Sequence, residues 1–285
     1  MLTAAPTECP VCGVADTGER WRISGFTVRQ CGSCTVMYVG EKLSNEELGA
    51  WYAKLTDNAY SEENARCLRY YYDNLAARIR TYQPRGRRLF DVGCSRGWFF
   101  ESMPEWECWG NEIASNDARE ADSRAPGRVY QGAFNECTVD EGAYDAVTFQ
   151  DVFDHLPDPH ESLAKAYAML RPGGLLVIKV HDFGCLYAKL SGPSFYALIP
   201  PYHLFYYNRR SLEHLLGTAG FLPLDFAHMA HLLQVKTVFE RLSKNDTASM
   251  LYKLSQALAN TGLGQVTFRK NLHDIVTVFA RKPAS

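Results

Sequence analysis

No stretch of this 285-residue chain approaches the roughly 20 consecutive apolar residues that a membrane-crossing helix requires. Its opening residues, MLTAAPTECP, also lack the basic start and apolar run of a secretory leader, so a cytoplasmic location is expected. The basic residues are scattered rather than gathered into one run. With 30 Lys and Arg against 32 Asp and Glu, the net charge is −2. A partner held through phosphates needs a positive footprint, so nucleic acid is not an expected partner. Internal repeats and low-complexity tracts are absent too, and so is an early G-x-G-x-x-G turn of the nicotinamide-binding kind. The composition that remains is 46% hydrophobic and 22% charged, enough for a sizeable core. The length accommodates one α/β domain and a small satellite.

Nine cysteines are present, and four of them, Cys9, Cys12, Cys31 and Cys34, fall in the first 34 residues. In a reducing compartment, paired cysteines read as metal ligands before disulfides. Two C-x2-C turns separated by 18 residues point four thiolates at one tetrahedral site. Zinc is the expected ion, and with no open coordination position it is expected to be structural. Residues 1–40 therefore read as a zinc ribbon, with a hairpin between the knuckles that includes Trp21–Val28. Cys67, Cys94, Cys108, Cys137 and Cys185 stand alone and read mostly as small buried residues.

From Ser44 the pattern turns helical. Ser44 with Glu47 forms a capping box, and Leu68, Tyr71, Tyr72, Leu75 and Ile79 recur at helix spacing. Residues 41–85 read as a helical linker, with Tyr60, Tyr70, Tyr71 and Tyr72 as a packing face or a lid. Residues 86–285 then alternate strands and helices: Arg88–Val92, Cys108–Ile113, Val129–Gly132, Tyr144–Gln150, Leu175–Val180, Phe221–Phe226 and Ile275–Ala280 as strands, a helix at Ser211–Gly217, and a helical insertion around Met250–Asn260. That alternation predicts a parallel sheet covered on both faces.

The turn Asp91-Val92-Gly93-Cys94-Ser95-Arg96-Gly97 follows the first of these strands. Glycines there let backbone approach a ligand closely, and a helix opening at Trp98 would offer free N–H groups to an anionic group. Glu112, 21 residues after Asp91 and at the end of the next strand, is placed to accept hydrogen bonds from two ribose hydroxyls.

Taken with Trp109–Ile113, Tyr144–Val147, Asp154-His155-Leu156-Pro157-Asp158-Pro159 and Leu170–Gly174, this turn resembles the successive motifs of class I S-adenosylmethionine-dependent methyltransferases over residues 88–226. The resemblance implies a Rossmann-like sheet of seven strands with the last one antiparallel. It also implies S-adenosylmethionine as cofactor. The Gly93–Gly97 turn, Cys94 included, would hold its methionine part, Glu112 the ribose, Ala133 and Phe134 the adenine surroundings, and Gln150 and Asp151 the floor, with Asp91, Trp98 and Ile113 also among the cofactor-binding residues. Cys94 stands where the family usually has a smaller residue.

The ribbon, followed by Met37-Tyr38, Leu43-Ser44, Glu46-Glu47-Leu48 and Trp51-Tyr52, is similar to zinc-ribbon methyltransferases of sugars and other small metabolites, the deoxysugar C-methyltransferases among them. The stretch Pro200–Leu212 resembles their late motif, with Tyr202 where relatives carry glutamate. A small-molecule acceptor is therefore expected: a sugar, a nucleotide sugar or a secondary metabolite. Histidine is the usual base near neutral pH. His203 is the first candidate and His155 the second, while Tyr202 could orient substrate and His181 faces the same rim. Two other readings remain: an RNA base methyltransferase using the ribbon for recognition, and a non-catalytic binding protein.

Overall fold

The computed structural model describes residues 8–44, 47, 48, 51, 65–243, 247–259 and 261–284. Tyr52, Tyr60 and the second acidic residue of the linker, Glu46, lie outside them.

At the centre is a seven-stranded sheet. Its strands are β4 (Arg88–Val92), β5 (Glu107–Glu112), β6 (Val129–Gln131), β7 (Tyr144–Gln150), β8 (Leu170–His181), β10 (Leu222–Ala227) and β13 (Ile275–Arg281). The order is β10-β13-β8-β7-β4-β5-β6. Strands β6, β5, β4, β7 and β8 pair in parallel, and β13 is antiparallel to both of its neighbours. This is the expected Rossmann-like arrangement with its last strand reversed. β7 is buried at all seven positions, its polar Asp145, Thr148 and Gln150 included.

The chain moves outward from β4 to β6, then returns to β7 on the other side of β4. That reversal opens a crevice at the carboxyl ends of β4 and β7, where open α/β sheets receive ligands. Covering helices are α1 (Ala65–Tyr82), α2 (Ser115–Arg124), α3 (Pro159–Met169), α4 (Leu186–Ser191) and α5 (Arg209–Thr218). Helix α3 starts at Asp158, whose carboxylate accepts the His160 and Glu161 N–H groups. Helix α5 starts at Asn208 through a reciprocal capping box with Ser211. The Ser44 and Glu47 box also forms, at 2.8 and 3.2 Å.

One element departs from expectation. After Gly97 there is no α-helix but a 3-10 turn of five residues, Trp98–Ser102. Phe99, Phe100 and Met103 must all reach the core within that short span. Pro104 then removes an N–H and disfavours α geometry at Met103. The strong helix dipole expected at this turn is therefore missing.

The N-terminal ribbon comprises β1 (Thr17–Ile23), β2 (Phe26–Cys31) and β3 (Met37–Val39). Its sheet does not end there: β3 pairs with β9 (Phe205–Tyr206), two residues from the catalytic-fold half of the chain. His160 Nε2–H donates to the Val11 carbonyl at 2.9 Å, and Asn208 bonds the Thr35 carbonyl at 2.9 Å. One apolar core runs through both parts, from Val28 and Tyr38 to Phe149 and Tyr207.

The insertion between β10 and β13 forms a hairpin, β11 (His231–Gln234) with β12 (Thr267–Lys270), carrying α6 (Val235–Leu242) and α7 (Met250–Ala259). Its β11 lies on α1, where His231 stacks on Tyr71 with centroids 4.7 Å apart. Tyr71 and Tyr72 are 1% and 7% exposed, so they act as the packing face of α1. No helix among the described residues is long and apolar enough to cross a membrane.

Candidate active site and cysteine cluster

Strand β4 delivers Asp91 and then a turn in which Gly93, Ser95 and Gly97 all have positive φ, at 64°, 47° and 73°. A Cβ on Gly93 would stand 2.6 Å from Val152 Cγ2, and one on Gly97 only 3.0 Å from the Ala121 backbone. Both conformation and space therefore demand glycine. Cys94 is buried beneath the turn, with its Cβ and Sγ each 3.0 Å from where a Gly110 Cβ would lie. Its thiol is pushed far up by burial and by the Asp91 and Glu112 carboxylates, so it remains protonated. Its chemistry is that of a small packing residue.

Glu112, at the end of β5, turns back across this loop. Its two carboxylate oxygens accept the Ser95 and Ala114 N–H groups, each at 2.9 Å. Burial raises its carboxyl above the ordinary range, and those N–H groups oppose the rise. Asp91, 3% exposed, accepts the Thr148 hydroxyl at 2.5 Å and the Gln150 amide at 3.1 Å. Burial pushes its carboxyl up to about 7. Gln150 Oε1 is buried with no hydrogen-bond partner among the described residues.

Of the remaining cofactor candidates, Trp98 and Ala133 are half-buried and Phe134 is buried, packing edge-on against Phe149 at 5.5 Å. Ile113 is 66% exposed at the tip of β5. Asp151, also left-handed at φ 56°, bonds Lys179 Nζ at 2.5 Å. Burial raises its carboxyl, but the Lys179 ammonium and His181 outweigh that and hold it below the usual range.

The histidines expected separately come together around Asp154, just past β7. Its side chain is 4% exposed. Around it lie His155 Nε2 at 3.8 Å, His181 Nδ1 at 3.8 Å and His203 Nδ1 at 3.9 Å. The His155 and His203 rings meet edge-on at 4.7 Å, and His181 stacks on His203 at 5.2 Å. His155 Nδ1 lies 2.5 Å from the Tyr202 carbonyl. A carbonyl only accepts, so that nitrogen carries the proton and the neutral ring presents its lone pair at Nε2. His203 likewise donates from Nδ1 to the Ala197 carbonyl at 2.8 Å. His203 is 7% exposed, and burial pushes it down to about 3 although Asp154 pulls the other way. Tyr202 is half-buried, and its ring meets Trp51 edge-on at 5.9 Å.

Three members of this region escaped the sequence reading. Asp154 opens the stretch Asp154–Pro159, and nothing in its neighbours marks it as a centre for three histidines. Lys179 carried a signal, since a lysine in the apolar strand Leu175–Val180 must be paired to be buried there. Its ammonium also sits 4.3 Å above the Tyr71 ring. His231 left no local signal, because only the long-range packing of β11 on α1 brings it there.

In the ribbon, Cys9, Cys12, Cys31 and Cys34 bring their sulfurs within 4.8 Å of one another. The closest pairs are Cys9 with Cys34 at 3.6 Å and Cys12 with Cys31 at 3.5 Å. Tetrahedral zinc with bonds of about 2.3 Å sets its sulfurs roughly 3.8 Å apart. The Val11 and Cys34 N–H groups each point at a sulfur at 3.4 Å, as in turns that hold thiolates. The four cysteines therefore fit a small zinc ribbon.

Residues 63–224, more than half of the chain, match the family described as a methyltransferase domain. The ubiquinone biosynthesis O-methyltransferase of Alkalilimnicola ehrlichii is 30% identical over 100 residues, covering 32% of this chain and 40% of that protein. The protein of the same name from Mesorhizobium japonicum is 31% identical over 126 residues, covering 39% and 49%. The chain thus spans less than half the length of these curated relatives. Among solved structures, 1,6-didemethyltoxoflavin-N1-methyltransferase from Burkholderia thailandensis, with 1,6-didemethyltoxoflavin and S-adenosylhomocysteine bound, has a TM-score of 0.51 at 14% identity, over 93% of this chain and 99% of that one. A putative methyltransferase from Bacillus halodurans has a TM-score of 0.50 at 16% identity, over 73% and 98%. At such identities the likeness is one of fold.

Proposed function

Because this chain belongs to the class I S-adenosylmethionine-dependent methyltransferase family, we propose that it methylates a small molecule, a sugar, nucleotide sugar or secondary metabolite, held against the histidines around Asp154. The observation that carries this reading is the division of one crevice into two halves. On the β4–β5 side lie the glycine turn and the Glu112 carboxylate, and on the β7–β8 side lie His155, His181 and His203.

The first half suits the cofactor. Its left-handed glycine turn presents bare backbone at Gly93 and Gly97, Glu112 is an acceptor suited to hydroxyls, and the Gln150 carbonyl oxygen awaits a donor. Gly93 and Gly97 would let the backbone approach the methionine part, Glu112 would take the ribose, and Phe134 would wall the adenine. When bound, S-adenosylmethionine supplies a methyl group on a sulfonium.

The second half would hold and activate the acceptor. His155 is fixed by the Tyr202 carbonyl with Nε2 as its lone-pair atom, and Asp154 lies 3.8 Å from that nitrogen to stabilise the ring once it takes a proton. His203, more deeply buried and neutral, serves better as a positioning residue than as the base. Much of the rate would come from holding acceptor and methyl group in line. The names of the curated relatives, O-methyltransferases, favour an oxygen acceptor. In this reading zinc closes the ribbon and does no chemistry, because four thiolates leave it no open position.

The test is calorimetric titration with S-adenosylmethionine, followed by a mass-spectrometric screen of hydroxylated metabolites for a methyl mass increment. Failure of the cofactor to bind would remove the enzyme reading. Binding without any sugar-type product, but with methylated phenols, would redirect the acceptor class.

A further inference from the structure

The surroundings of Asp154 are unusual for a buried carboxylate. Such a group normally accepts several hydrogen bonds. Here three imidazole nitrogens stand at 3.8–3.9 Å, beyond hydrogen-bond reach. Asp154 Oδ1 and His181 Nδ1 are buried with no hydrogen-bond partner among the described residues. One ligand atom each from Asp154, His181 and His203 falls within 4.8 Å of the others. An ion with bonds of about 2.1 Å keeps its ligand atoms roughly 3.0–3.4 Å apart, so the two imidazole nitrogens at 3.8 and 3.9 Å from the Asp154 carboxylate would draw in by about half an ångström or somewhat more to share it.

We propose that Asp154, His181 and His203 form a second metal site, for a divalent transition ion, beside the acceptor pocket and separate from the four cysteines. Two imidazoles and one carboxylate suit zinc, iron, manganese or cobalt better than magnesium or calcium, which want oxygen ligands. Three protein ligands leave positions open to a substrate oxygen, unlike the closed ribbon. Loading the ion shifts the His203 proton from Nδ1, where it now bonds the Ala197 carbonyl, to Nε2, so that the ring stays neutral and Nδ1 becomes the ligand. His155 is left out of the ligand set, edge-on to His203, where its Nε2 can take the proton of a hydroxyl that the ion has acidified. That use of the ion rests on the methyl-transfer reading, but the site itself does not.

The experiment is a cobalt titration of the full chain followed by electronic absorption, with metal counted by elemental analysis. Cobalt in the ribbon shows thiolate-to-metal charge transfer, whereas cobalt at the histidines shows ligand-field bands alone. We expect two equivalents in the wild type. Asp154→Asn and His181→Gln should each lose the second equivalent while keeping the ribbon bands and the affinity for S-adenosylhomocysteine, which shows that they fold. A wild type that takes one equivalent with only thiolate character overturns the inference, as does a second equivalent retained in both variants. A wild type that takes two equivalents but never binds S-adenosylhomocysteine leaves the metal site standing and removes the methyl-transfer reading instead.

Discussion

Replacing Asp91 with asparagine should make the cofactor-free protein more stable above neutral pH. The carboxyl is 3% exposed and sits between β4 and β7, with Oδ1 accepting from Thr148 and Gln150. Burial lifts it to about 7 in the folded chain, against 3.8 when unperturbed. The folded state therefore holds this proton more tightly than the unfolded state. Stability from this group is fully present below about pH 4 and is lost as pH rises through about 7. The gap is worth roughly 4 kcal/mol at most, at about 1.4 kcal/mol per pH unit. An asparagine oxygen can accept the same two hydrogen bonds and never ionises. The variant should match the wild type near pH 4, pull ahead between about pH 4 and 7, and hold a constant lead at pH 8. With roughly 2–4 °C of Tm for each kcal/mol in a chain of this size, the lead is at most on the order of 8–16 °C. Thermal unfolding of both proteins from pH 4 to pH 9 reads this directly, since other groups titrate alike in the two and cancel in the difference. A Tm difference that does not change with pH would refute the reasoning.

Three further outcomes are expected. Glu112→Ala removes an acceptor that makes charge-assisted bonds, each worth about 1.5–3 kcal/mol, so the Kd for S-adenosylhomocysteine should rise on the order of 10–100-fold by calorimetry; an unchanged Kd would make Glu112 a mere clasp for Ser95 and Ala114. His155→Phe should leave cofactor affinity within a factor of about 3 and cut turnover of the identified acceptor by roughly 10²–10⁴, and full turnover would exclude His155 as base. Removing zinc with a strong chelator should lower Tm and unpair β3 from β9, seen as faster amide exchange at Val39 and Tyr206, while cofactor binding persists; an unaltered Tm would argue against a structural ion.

How much of this was legible depended on how local the determining forces are. β7 was read to the residue and β5 to within one position because each follows a turn-forming stretch, Asp140-Glu141-Gly142 before β7 and Pro104-Glu105 before β5, and carries aromatic residues suited to a strand. The glycine turn and Glu112 were legible because backbone geometry and an acidic strand end follow from a few neighbouring residues. The helix expected after Gly97 was not, since the competing demand, three large apolar side chains to be buried before Pro104, only prevails once α1 and the sheet are in place. β9 is two residues long and pairs with a strand more than 160 positions away, so no window could contain its cause. The histidines were each visible as polar residues near strand ends. Their meeting at Asp154 comes from the order of β7 and β8 in the sheet and from the path of the loop that carries His203, which is a property of topology rather than of any motif.

That same path assigns the ribbon its work. A two-residue strand cannot hold a loop alone, yet β9 follows His203 after a single residue and is pinned on both flanks. Its edge is paired by Met37 and Tyr38, and the Val39 N–H bonds the Leu204 carbonyl at 2.9 Å. Leu204 and Phe205 N–H groups both donate to the Asp154 carbonyl, at 2.9 and 3.1 Å. The backbone of Asp154 is thus tied to the loop on one side while its carboxylate faces the three imidazoles on the other. Phe26 of the ribbon packs on Trp51 at 5.7 Å, and Trp51 on Tyr202, whose carbonyl fixes the His155 tautomer. The ribbon therefore reaches the histidines around Asp154 by two routes, through the sheet to His203 and through aromatic contacts to Tyr202, whose carbonyl bonds His155. In the proposed methyl-transfer reading, a module outside the β4–β8 sheet would thereby set the angle of the rings meant to position the acceptor, and so act on that half of the crevice rather than on Gly93, Gly97 and Glu112.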